Sequence, residues 1–175
     1  MSSTTTERLV PAQLALMDHA QFMGRFGELF EHSPWVAQAA WAQRPFAGVD
    51  ALHAAMMAAV RAARPAQRIA FLCMHPELAG KEAQAGTMTG HSTYEQDGLN
   101  ALSRAEVDEL HRLNAAYAQR HGFPFIIAVL GHTKAQIFEA LRERAARATQ
   151  DEIDEALRQI ERITRRRLDA LFAPA

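Results

Sequence analysis

Phe123-Pro124-Phe125-Ile126-Ile127-Ala128-Val129-Leu130-Gly131 is the only strand-like run in the chain, and its reading decides the fold class. Its β-branched and aromatic residues favour an extended backbone. A lone strand has no neighbour with which to pair its N–H and C=O groups. The run is therefore expected to form an extended or irregular segment threaded against helices over 123–130. The alternative is a short buried helical turn. On the first reading the backbone groups of the segment are free to serve a ligand.

The sequence on either side reads as helix. Ser103 with Glu106 has capping-box spacing, and the helix it opens carries Val107, Leu110, Leu113, Asn114 and Tyr117 before Gly122 ends it. Thr133 caps a helix with Ile137, Phe138, Leu141 and Ala145. Thr149 with Glu152 gives another capping box, followed by a long amphipathic stripe through Ile153, Leu157, Ile160, Ile163, Thr164, Leu168 and Leu171. Nearer the start, Asp18 with Gln21, Ser33 before Pro34, Asp50, and Pro65 each open a segment of helical periodicity. The 65-onward helix carries Ile69, Phe71 and Leu72 and is expected to run to His75, where Pro76 stops it. Residues 79–92 read as a loop, with Ser92 as a further cap. The expected architecture is all-α, a single-domain bundle over 1–175 of about seven to nine helices, with a loose start at 1–10.

Composition narrows the function. The chain has 175 residues, 49% of them hydrophobic, which is enough for a real core. A net charge of −1, from 19 basic and 20 acidic residues, gives no field to attract nucleic acid or an anionic membrane. No apolar run is long enough to span a bilayer and no secretory signal is present, so a cytoplasmic protein is expected. The one cysteine, Cys73, rules out an internal disulfide and reads as a core thiol. Phosphate-loop, dinucleotide-fold, serine-elbow and HExxH signatures are missing.

Three places can carry chemistry. His75 follows Phe71 and Leu72 on a helix end, where burial tunes an imidazole for acid/base work. Spacing alone also allows a structural histidine bonded to a nearby carbonyl, and favours it. Ser92-Thr93-Tyr94-Glu95-Gln96 groups hydroxyls, a carboxylate and a carboxamide within a turn; Glu95 can orient an imidazole, or Ser92 and Glu95 simply cap a helix. Arg167 falls on or beside the apolar stripe of the last helix, so it either meets an inward anion or snorkels from the edge. His91 and Glu95, spaced i, i+4, are too few to require a metal.

Together these motifs resemble the OHCU decarboxylases, where OHCU is 2-oxo-4-hydroxy-4-carboxy-5-ureidoimidazoline. The resemblance rests on His75-Pro76-Glu77-Leu78-Ala79-Gly80-Lys81, Ser92-x-x-Glu95-Gln96, Leu113-Asn114-x-x-Tyr117, Gly122-Phe123-Pro124-Phe125-Ile126 and Ile163-Thr164-Arg165-x-Arg167-Leu168, and runs from Phe22 to Leu171. It implies an all-helical homodimer that needs no cofactor or metal and converts OHCU to (S)-allantoin in urate breakdown. Such an enzyme acts after urate oxidase and 5-hydroxyisourate hydrolase. It also implies that His75 and Glu95 are catalytic. Pro76, Ser92, Thr93, Tyr94, Gln96, Phe125, Ile126, Ile127, Ala128, Val129 and Arg167 would hold substrate. The chain departs from the family in a shortened stretch after Gln96 and in Arg147, where the family usually has Asn. Two other readings compete: a non-catalytic helical scaffold, and a metal-assisted ureide hydrolase using His75, His91 and Glu95.

Overall fold

A computed structural model describes residues 8–78 and 102–173. Among these residues there are seven α-helices, one short 3-10 helix (Pro11–Ala15) and no β-strand. The helices are α1 (His19–Phe26), α2 (Pro34–Trp41), α3 (Val49–Ala62), α4 (Pro65–Leu72), α5 (Arg104–His121), α6 (Lys134–Ala145) and α7 (Thr149–Leu171). The chain divides into two compact units, Met1–Ala63 with Thr164–Ala175, and Arg64–Ile163. The all-α expectation holds.

In the first unit, local signals start the helices and apolar faces join them. Asp18 and Gln21 exchange hydrogen bonds of 2.8 and 3.0 Å at the start of α1, the reciprocal cap that their spacing predicts. Phe22 and Phe26 are fully buried and meet edge to face at 4.9 Å. Helix α2 packs on both α1 and α3, and Leu52, Met56, Met57 and Val60 of α3 form the core. The end of α7 turns Thr164, Arg167 and Leu168 inward.

Four sequence expectations change here. Asp50 does not cap α3; Gly48 takes that position, and Asp50 sits in the first turn paired with Arg165. Ser33 is the N-cap residue of α2, but its side chain makes no capping bond. The start is not loose as far as Leu9. This residue is buried, donates to the Leu171 carbonyl at 2.8 Å and accepts from the Ala173 N–H at 2.8 Å. Cys73, in the second unit, is exposed rather than a core thiol: Phe71 and Leu72 occupy the inward side of the α4 end, so Cys73 and Met74 point outward.

In the second unit, α5 and α6 pack together, each opened by the cap that its sequence announces. Gly122 ends α5 at φ 81°, a left-handed conformation that glycine adopts without strain. The chain then runs without regular structure through 124–129, with 125–129 buried. The extended or irregular reading of this run holds, and the helical-turn alternative does not.

Two consequences can be measured. Leu168 is fully buried while Arg165, on the same helix, is a half-exposed ion-pair partner. In urea melts Leu168→Ala should cost about 2–5 kcal/mol, and Arg165→Ala less than ~1 kcal/mol. The Glu106 carboxyl is held down to about 2, from an ordinary 4.5, first by the Ser103 backbone N–H and then by the Lys134 ammonium. A lowered folded value means that this carboxylate stabilises the fold above pH 4.5, and that the contribution fades as pH falls toward 2. Glu106→Gln should therefore flatten the acid limb of stability measured across that window.

Candidate active site

Helix α4 ends at Leu72, three residues before the expected His75. The last turn tightens instead. The N–H groups of Met74 and His75 donate to the carbonyls three residues back, Phe71 at 3.1 Å and Leu72 at 3.2 Å. Pro76 has no N–H with which to continue the pattern. This geometry delivers a buried imidazole, 8% exposed, edge-on to the Phe71 ring at 5.5 Å. The turn is then fastened to α5: the Asn114 side-chain amide donates to the Leu78 carbonyl at 3.0 Å, and the Cys73 Sγ lies 3.4 Å from the Gly122 carbonyl. A cavity of about 370 Å³ opens beside the turn, lined by Cys73 and Glu77 of the turn, by Asn114 of α5 and the Gly122 that ends it, and by Phe123 and Pro124. Within the second unit, the His75 turn and the start of the extended segment thus border one hollow.

The extended segment is held from behind by side chains. The Arg144 guanidinium donates to the Ile126 carbonyl at 2.9 Å and lies over the Phe125 ring at 4.5 Å. The same guanidinium donates to the Glu152 carboxylate at 2.9 Å, which also accepts from the Tyr117 hydroxyl at 2.6 Å. Gln159 Oε1 accepts from the Ala128 N–H at 3.0 Å. Two of the backbone groups that the sequence left free for a ligand are therefore taken by the protein. Burial, and then the bond to Glu152, push the Tyr117 phenol well above its ordinary value, so it stays a neutral donor. His121 packs against Tyr117 at 4.4 Å, and burial pushes its imidazole down, which favours the neutral form.

Glu152 is the plainest miss of the sequence reading. Thr149-x-x-Glu152 looks like a capping box, yet Glu152 is fully buried in this network and the Thr149 hydroxyl meets His121 at 3.0 Å. Arg144 carried a legible signal: it follows Ile137 by seven residues and Leu141 by three, on the buried stripe of α6.

Arg167 lies in the first unit. It is buried and donates to the Glu31 carboxylate at 3.0 Å and to the Leu29 carbonyl at 3.2 Å. Of its two sequence readings, the inward one holds, and the anion it meets here is Glu31. Pro76 is partly buried beside His75. Ser92, Thr93, Tyr94, Glu95 and Gln96 lie outside the described residues, as do His91 and Lys81.

A profile of the OHCU decarboxylase family matches residues 15–169. The chain belongs to the OHCU decarboxylase family. A 2-oxo-4-hydroxy-4-carboxy-5-ureidoimidazoline decarboxylase of Haloferax volcanii is 37% identical over 163 residues, covering 92% of this chain and 95% of that one. The uric acid degradation bifunctional protein PucL of Bacillus subtilis is 39% identical over 87% of this chain, which corresponds to 30% of that longer protein. The crystal structure of an (S)-allantoin synthase matches with a TM-score of 0.74 at 29% identity, over 94% of this chain and 54% of that one. The OHCU decarboxylase match takes in His75, the 125–129 segment and Arg167, and also Tyr117, Arg144 and Glu152.

The buried network gives a stability prediction. Arg144→Met strands the Glu152 charge and should destabilise by about 3–5 kcal/mol. Adding Glu152→Leu should recover part of that loss, which a double-mutant cycle in urea measures.

Proposed function

We propose that the protein decarboxylates OHCU to (S)-allantoin, with His75 as its acid/base. The observation that carries this reading is the family match spanning residues 15–169, which takes in residues of both units. It supports treating the whole chain as one functional domain. The buried setting of His75 fits the role, since removal from water strengthens each interaction that an imidazole makes with a charged substrate.

The chemistry asks little beyond placement. Loss of CO₂ leaves an electron pair on the ring carbon, and OHCU spreads that charge into its own ring C=O and C=N groups. The protein has to orient the carboxylate, stabilise developing charge and deliver one proton to one face. In this reading Glu95 orients His75, and His75 assists departure of CO₂. Pro76, Ser92, Thr93, Tyr94 and Gln96, with backbone groups of Phe125, Ile126, Ile127, Ala128 and Val129, hold the ureido and ring polar atoms. The Ile126 carbonyl and Ala128 N–H are already engaged by Arg144 and Gln159, so the neighbouring groups carry more of that work. Arg167 counters negative charge, with Glu31 beside it. We also propose a cytoplasmic homodimer working beside urate oxidase and 5-hydroxyisourate hydrolase. The bifunctional relative, in which a matching segment sits inside a longer urate-degrading protein, supports such a coupling.

Freshly generated OHCU and circular dichroism of the product test the reading. The full chain should accelerate formation of (S)-allantoin, and His75→Gln should lower kcat/KM by about 10²-fold or more. Equal rates for the two proteins would sink the role of His75. No acceleration by the wild type would favour a scaffold, and loss of activity with a chelator would favour a metal-assisted reaction.

A further inference from the structure

We propose that Gln159 and Arg144 are positioning residues that set the register of the 125–129 backbone along the substrate site. The proposal rests on the reading above, in which this backbone holds substrate.

The two side chains grip alternate residues. Arg144 holds the Ile126 carbonyl at 2.9 Å and Gln159 holds the Ala128 N–H at 3.0 Å. In an extended chain the C=O of one residue and the N–H of the second residue onward face the same way, while the groups of the residue between face the other way. Gripping Ile126 and Ala128 from α6 and α7 therefore turns the Ile127 N–H and C=O to the opposite side, where a ligand can use them. A slip of one residue would reverse that presentation.

Each grip is itself held in place. The Gln159 amide nitrogen donates to the Glu155 carboxylate at 2.6 Å, which fixes the amide oxygen toward Ala128. Glu155 in turn accepts from Arg158 at 2.9 Å. The Arg144 guanidinium is locked by Glu152, and Glu152 by Tyr117. Both chains of bonds are buried at the end that meets the segment. Groups that position a substrate alike in the ground and transition states show themselves in KM rather than in kcat.

The test uses the full-length protein and OHCU. Gln159→Leu removes the acceptor and should raise KM about tenfold while kcat stays within about threefold. The exchanged pair Glu155→Gln with Gln159→Glu again offers an oxygen to Ala128 and a donor from position 155, and should bring KM back to within about threefold of wild type. Val60→Ala, in the core of the first unit, lowers stability and should leave KM unchanged. The proposal is overturned if the wild type is active and Gln159→Leu keeps its KM, if the exchanged pair fails to restore it, or if Val60→Ala raises KM equally. An inactive wild type would count against the assigned function instead. Hydrogen exchange at the Ala128 amide then decides the grip by itself: faster exchange in Gln159→Leu and recovery in the exchanged pair support it, and unchanged exchange overturns it.

Discussion

A buried stretch of non-helical chain has to satisfy its backbone polar groups without help from a ladder or from water. Residues 125–129 face that constraint, and the second unit is arranged around meeting it. A buried carbonyl at Ile126 draws in a guanidinium, which cannot stay buried without a counter-charge. Glu152 supplies the charge: its Oε2 accepts from both Arg144 and Tyr117, and its Oε1 lies 3.6 Å from the Arg147 guanidinium, an ion-pair distance and not a hydrogen bond. Additional hydrogen bonds offset part of the desolvation cost of a buried ion pair, and here the backbone supplies one of them.

The first unit uses the same device. Arg167 lies on the buried side of α7, pairs with a buried acid, Glu31, and donates to a backbone carbonyl, that of Leu29. Asn114 does neutral work of the same kind, tying the Leu78 carbonyl after the His75 turn to α5. In each case a helix lends a side chain to an irregular stretch, because the stretch cannot satisfy itself. The described residues that we propose hold substrate therefore sit on, or next to, backbone held from a helix. That gives a site placed on loops some of the rigidity of the helices behind it.

Helix starts were legible where donor and acceptor lie within one turn. Asp18 with Gln21, Ser103 with Glu106 and Thr133 with Gln136 all close the reciprocal bonds that their spacing announces. Thr149 with Glu152 has the same spacing and does something else, because a buried arginine draws the carboxylate inward. Asp50 likewise reads as a cap until Arg165, far along the chain, engages it. The fate of the α4 end was half legible: Pro76 announces a stop, but the carbonyls that accept from Met74 and His75 decide that the helix yields to a tighter turn sooner.

By itself the sequence determined the all-α class and the family, because periodicity, turn chemistry and motif spacing are written in neighbouring residues; it left open whether 123–130 is irregular or a helical turn and whether Arg167 points inward or snorkels. Only the tertiary structure decided what the buried charges meet. Arg167 finds Glu31 across 136 residues and His53 finds Thr164 across 111. Ala128 finds Gln159 across 31. Such partners are chosen by which faces the helices bury together, and that choice is made by packing rather than by local propensity.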